Sequence, residues 1–241
     1  MTKYEKISVL ARETAKRISA NREEWIRYLD VASRLYKYPF EDQILIYAQR
    51  PDATACASLE MWNEKMFCWV NRGAKGIALL DGESERPRLR YVFDVTDVHK
   101  AKRIGRDPFI WHLREEHKEA VLAGLEHIYG STNDSLSFES RIYEIAAGIA
   151  EDFYEEAVDE VIDAAANSFL EDLDGDVVSV RFREMLVQSV SYIVLKRCGC
   201  DMTEFADDFT FDYIHEFNTL RTLSVLGSST SELCEPMLVQ I

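Results

Sequence analysis

The sequence predicts an α+β unit at the N-terminus followed by an all-α unit. Three observations carry this expectation. Over 4–37, apolar residues recur at steps of three, four and seven, the spacing of an amphipathic helix. Between 66 and 96 the pattern changes to short β-type runs separated by turn residues. From Pro108 onward the helical period returns and persists. Only 10 Gly and 5 Pro stand among 241 residues, too few for a turn-dense all-β architecture.

In the first unit, Ile7, Leu10, Thr14, Ile18, Trp25, Leu29, Ala32 and Tyr36 mark one helical face. Asn21 followed by Glu24 has capping-box spacing and predicts two helices with a break near Ala20. Tyr38-Pro39 ends the segment, because the residue before proline avoids the α region. Short helices are expected over 41–48, stopped by Arg50-Pro51, and over 58–65. Phe67-Cys68-Trp69-Val70 reads as a strand and Asn71-Arg72-Gly73-Ala74-Lys75-Gly76 as a turn. Ile77-Ala78-Leu79-Leu80 reads as a second strand. After a charged loop, 89–95 is a third, with Tyr91, Phe93 and Val95 alternating. Together they predict one small antiparallel sheet at 66–96.

In the second unit, a helix over 109–129 should end at Gly130, and the polar stretch 131–137 is the expected boundary between domains 1–130 and 138–241. A helical tract over 138–173 should break near 165–168. Asp174-Gly175-Asp176 is a turn, and a helix over 177–197 stops at Gly199. Asp201 with Glu204 should open a helix carrying Phe205, Phe209 and Tyr213 that continues to Gly227. Ser229 with Glu232 should cap a last helix. A chain that stops inside a capped helix is expected to be a fragment of something longer.

Charge divides the chain. Residues 1–110 hold 20 Lys+Arg and 16 Asp+Glu, a net of +4; residues 111–241 hold 8 and 27, a net of −19, which together give −15. The asymmetry suggests different partners for the two halves: nucleic acid for the basic one, a basic protein surface for the acidic one. An acidic helical half is equally explained as a soluble surface. The N-terminus has no apolar signal-peptide core, and the longest uncharged stretch, 185–195, is too short to span a bilayer. Five unevenly spaced cysteines point to a reduced, cytoplasmic protein.

No catalytic, cofactor or metal motif stands out, so a non-enzymatic protein without cofactor is expected. Cys198-Gly199-Cys200 has no second pair to complete a zinc site. His112, Glu116 and His117 do not form HExxH. Asp172, Asp174 and Asp176 mimic the opening of a calcium loop, but Val177 stands where glycine is required and Arg183 where an acid is. The Arg72–Gly76 turn joins two strands and lacks the P-loop pattern. It does place Arg72 and Lys75 beside Trp69 and Phe67. Arg86, Arg88 and Arg90 lie near Tyr91, and Lys100, Lys102, Arg103 and Arg106 follow. Cations for phosphates and rings for stacking are what single-strand binding needs. The competing reading makes the rings core and the arginines a solvated edge.

The segment 38–98 contains Tyr38-Pro39-Phe40, Asp42-Gln43-Ile44-Leu45-Ile46-Tyr47-Ala48-Gln49-Arg50-Pro51, Met61-Trp62-Asn63, Asn71-Arg72-Gly73-Ala74-Lys75-Gly76-Ile77 and Phe93-Asp94-Val95. It resembles the N-terminal domain of ArdC-type antirestriction proteins. It is closer still to the opening segment of the large methylase/helicase-like proteins of Firmicutes conjugative elements. The short motifs cover about a quarter of the chain, and the similarity to the longer proteins extends across it. The resemblance implies single-stranded DNA binding that shields incoming DNA from restriction, with Gln49, Trp62, Arg72 and Lys75 near the binding face. The zinc-peptidase-like domain of ArdC is absent, and residues 111–241 have no counterpart in it.

The expectation is therefore a mobile-element protein that binds single-stranded DNA through Gln49, Trp62, Trp69, Arg72, Lys75, Arg88 and Arg90. The runner-up is an acidic anti-restriction or anti-CRISPR inhibitor, such as a phage carries, acting as a DNA mimic in the DNA-binding groove of a host nuclease. Its stripe would be Asp152, Glu155, Glu156, Asp159, Glu160 and Asp163, which recur at three- and four-residue steps on a helix. A third possibility is an interaction module of a larger helicase or methylase.

Overall fold

The computed structural model describes residues 1–82, 87–101, 107–108 and 110–241. Helices with small antiparallel sheets come first and helices follow, as the sequence predicts. Arg86, Lys102, Arg103, Arg106 and the expected helix start at Phe109 lie outside the described residues.

Helix α1 (Lys3–Ile18) opens on a capping box between Thr2 and Glu5. Helix α2 (Arg22–Ala32) opens at Asn21, whose side chain accepts the Glu24 N–H, so the predicted break near Ala20 is present. Turns lead to Pro39, which begins α3 (Phe40–Gln49). The strands are β1 (Cys56–Ser58), β2 (Cys68–Val70), β3 (Ile77–Asp81), β4 (Arg88–Asp94) and β5 (Val98–Lys100). They form not one sheet but two: a three-stranded sheet in the order β1-β4-β3, and a separate β2–β5 ribbon, all antiparallel. The turn at 71–76 does not fold β2 back onto β3. Instead β4 pairs with β3, and β5 returns to pair with β2. The helix expected over 58–65 reduces to a short helical stretch ending in one π-helical turn, Met61–Lys65, after β1.

Regular helix after 109 starts late, at α4 (Lys118–Tyr129), behind a 3-10 turn at Glu115–His117. Helix α5 (Phe138–Ala164) follows, then α6 (Gly175–Arg197), capped by Asp174. Gly199, at φ +78°, ends α6: its N–H reaches the Lys196 carbonyl and that of Cys200 the Leu195 carbonyl. The helix expected after Asp201 is only the 3-10 turn Met202–Phe205. Phe209 and Phe211 follow in irregular backbone, their rings stacked at 6.1 Å and both edge-on to Tyr192. Gln188 of α6 accepts the Phe211 N–H at 2.8 Å, so the segment binds α6 with backbone that a helix would have used internally. Helix α7 (Leu220–Gln240) runs unbroken through Gly227 and Ser229, where the sequence predicts an end and a new start. Gly227 is required for another reason: the buried Phe40 ring lies against it and would overlap any side chain there.

One hydrophobic core runs through both halves of the chain. Helices α1 and α3 pack on α7, and α2 packs on α6. Polar contacts cross the same seam. The Trp25 indole donates to Ser189 at 3.1 Å, and the Tyr192 hydroxyl donates to Asp30 at 2.8 Å. Arg22 donates to the Phe209 carbonyl at 2.7 Å. The segment 131–137, expected to separate two domains, is the connection between α4 and α5. Arg141 of α5 bonds Glu126 of α4 at 2.5 Å and the Thr132 hydroxyl at 2.7 Å, which fastens the connection. Among the described residues no helix is long and apolar enough to cross a membrane.

Candidate functional site

The β2–β5 ribbon is where exposed rings and cations meet. Its register sets Cys68 against Lys100, Trp69 against His99 and Val70 against Val98. Strand alternation turns Cys68 inward and Trp69 outward: Cys68 is buried, whereas Trp69 is 50 % exposed and His99 beside it is exposed. Phe67, just before β2, is 44 % exposed and has φ +52°. An aromatic residue in the left-handed region carries strain of about 1–2 kcal/mol. Its carbonyl accepts the Ala101 N–H at 2.9 Å, which holds the ribbon's end in that shape.

The turn after β2 is built to project its cations. The Ala74 N–H closes on the Asn71 carbonyl at 3.0 Å with Gly73 at φ +89°, the glycine position of a type II turn. Asn71 is anchored twice, its N–H to the Asp97 carbonyl at 2.8 Å and its side chain to His99 at 2.7 Å. Arg72 and Lys75 are exposed, and neither is in an ion pair among the described residues. Arg88 is also exposed, opposite Asp81 in the β3–β4 register.

The other three residues expected at this face have structural partners. Gln49 behaves as an extra rung on β3: its amide donates to the Ala78 carbonyl at 2.8 Å and accepts the Ala78 N–H at 3.0 Å. Trp62 is 4 % exposed and donates its indole N–H to the Phe93 carbonyl at 2.8 Å, so its ring packs inside. Arg90 is ion-paired with the buried Asp42 of α3. Trp62, expected near the binding face, is thus not available there, while His99 stands opposite Trp69 in the ribbon register. His99 could have been found only by recognising Val98–Lys100 as the partner strand of β2.

The acidic residues lie elsewhere, along α5. Asp152, Glu155, Glu156, Asp159, Glu160 and Asp163 are all exposed. None is ion-paired among the described residues, although nearby Glu151 pairs with Arg183 at 2.5 Å. Glu156, Glu160 and Asp163 line a groove together with Glu41 of α3 and Glu232 of α7, with Arg221 as its cation.

The thiols are held protonated. Burial pushes Cys56 and Cys198 up to about 12 and Cys200 up to about 11, the opposite of what a thiolate ligand or nucleophile needs. Among the described residues no three His, Cys, Asp or Glu side chains come together as metal ligands. Asp94, buried at the end of β4, is tuned the other way. Burial acts to raise its pKa, but the N–H groups of Thr96, Thr54 and Ala55 and the Thr96 hydroxyl outweigh it and hold the carboxyl below its ordinary value. Compared with protein-family models, with curated proteins and with solved structures, the chain matches none.

Proposed function

We propose that the protein is a non-enzymatic binder of single-stranded DNA that protects or handles DNA transferred by a mobile element. The observation that carries the reading is the half-exposed Trp69 on the β2–β5 ribbon, with the unpaired Arg72 and Lys75 on the adjoining turn. Bases stack on Trp69 and Phe67, since every base has a π-face and stacking needs no particular sequence. Arg72, Lys75 and Arg88 meet phosphates. The resemblance of 38–98 to the ArdC N-terminal domain supports the same reading. The net charge of −15 opposes a polyanion, so affinity is weak and confined to this patch.

The test is fluorescence anisotropy with a labelled oligothymidylate at low salt. Affinity is expected to fall steeply between about 50 and 200 mM salt. Trp69→Ala should weaken binding about tenfold or more, the loss of one stacked base. Arg72→Ala with Lys75→Ala should reduce the salt slope by roughly one to two units. No binding by the folded protein at low salt ends the reading.

A second reading rests on the α5 carboxylates. Like charges at helical spacing cost each pair a few tenths of a kcal/mol, and none of these six carboxylates is in an ion pair among the described residues. A basic groove on a host nuclease would convert that repulsion into attraction and faster association. In a pull-down against purified restriction and CRISPR nucleases, Glu155→Lys, Glu156→Lys, Asp159→Lys and Asp163→Lys together should abolish capture. Capture that survives these changes with its salt dependence intact rules out mimicry.

A further inference from the structure

A cavity of about 460 Å³ opens where the two halves of the chain meet, in the size range of small-molecule sites. Its walls come from four separate stretches: Ser33-Arg34 after α2, Thr54-Ala55 before β1, 110–112, and the end of α6. Trp111 and Ile110 make one side apolar. Arg34, His112, Lys196 and Arg197 make the rest basic, in a protein that is otherwise strongly acidic.

The two arginines are positioned by neutral groups. The Arg197 guanidinium lies between two rings, 5.0 Å from the Trp111 centroid and 5.8 Å from that of Tyr36, and donates to the Trp111 carbonyl at 3.0 Å. Arg34 donates through Nε to the Ala53 carbonyl at 2.9 Å and through Nη2 to that of Pro51 at 3.3 Å. Neither has a carboxylate partner among the described residues, whereas Lys196 is paired with Asp30 at 2.9 Å. Cations at a helix C-terminus are ordinarily explained by the exposed carbonyls there. Arg197 instead turns to the 110–112 segment and the cavity. Burial lowers its pKa, the mark of a cation whose lost hydration no anion has replaced. Two forks held in place, each with donors to spare, match the geometry of a phosphate.

We propose that this cavity binds a nucleoside phosphate, with the phosphate on Arg34 and Arg197 and the base and sugar against Trp111 and Ile110. The phosphate supplies the missing counter-charge. The flat apolar body fills the wall that an inorganic anion leaves empty. The site is distinct from the β2–β5 ribbon and does not depend on strand binding there.

The experiment is calorimetric titration of the full chain with AMP, GMP, CMP and UMP, each against adenosine and inorganic phosphate. At least one mononucleotide should bind with a Kd of 1 mM or tighter, as an order-of-magnitude bound for a modest site, and at least tenfold more tightly than adenosine or phosphate. At about a hundredfold excess over Kd it should raise Tm by about 5–10 °C. Arg34→Gln and Arg197→Lys should each weaken binding about tenfold, the second because a point charge replaces a fork. Arg34→Gln lies on a different wall from Arg197→Lys, so one remains informative if the other does not fold. No heat from any of the four mononucleotides at several millimolar overturns the proposal. So does phosphate binding as tightly as nucleotide, or nucleotide binding that Arg34→Gln in folded protein does not weaken.

Discussion

Asp94 shows how a single side chain sets local shape and pH response together. It holds the backbone of 54–55 and 96 against the end of β4, positioning both the three-stranded sheet and the turn into β5. Its folded pKa lies below its unfolded value, near 3.9. The stability it contributes is thus present above about pH 4 and lost as pH falls through the lower folded value. Asp42 has the opposite sign: burial outweighs the attraction of Arg90 and raises its pKa, so protonation relieves it as pH falls. We expect Asp94→Asn to cost about 2–3 kcal/mol at pH 7, because Asn cannot replace the charge-assisted bonds. Urea midpoints of wild type and variant should converge toward pH 3. A gap that stays constant from pH 7 to pH 3 shows that the charge on Asp94 is not what stabilises the fold.

At the scale of elements, what could be read from the sequence was what neighbouring residues decide. The Asn21 cap, the Gly199 stop and the runs around β2, β3 and β4 all follow from local chemistry. The pairing of strands does not. Val98–Lys100 is three residues long and has no alternation of its own, so β5 was invisible, and with it the place of His99 beside Trp69. Gly227 has the sequence signature of a helix end, yet its reason is a ring from a residue 187 positions away. Gln49 and Trp62 match a motif, but a motif does not say whether a side chain faces solvent or a neighbouring strand. The exposure of Trp69, Arg72 and Lys75 follows from a short ribbon and a glycine turn, which leave few alternatives.

The α4–α5 connection carries the element-scale prediction. Its tip is exposed, but Glu126, held down to about 2 by the Thr132 hydroxyl and by Arg141, ties both ends to the helices. Limited proteolysis should cut at 131–137 slowly, and faster in Arg141→Ala. The nicked halves should stay associated on gel filtration, because they share a core. Their separation under native conditions after a single cut means each half has a core of its own.

For the whole molecule, the two halves carry opposite net charge and interlock through Trp25–Ser189, Tyr192–Asp30 and Phe40–Gly227. A cationic turn on a small ribbon is thereby joined to an acidic helical body by one shared core. The interlocking also has a consequence in time. Helix α1 packs locally on α2 and α3, but part of its face is covered only by α7, some 200 residues later in the chain. Contacts of such long sequence separation close slowly, since the loop must be brought together before any packing compensates for it. As the chain leaves the ribosome, the parts of Trp25, Phe40, α1 and α3 that α6 and α7 cover must wait until those helices emerge. The acidic stretch lies between them and is made first, so the chain already carries an excess of negative charge, which favours solubility, while that surface is still bare.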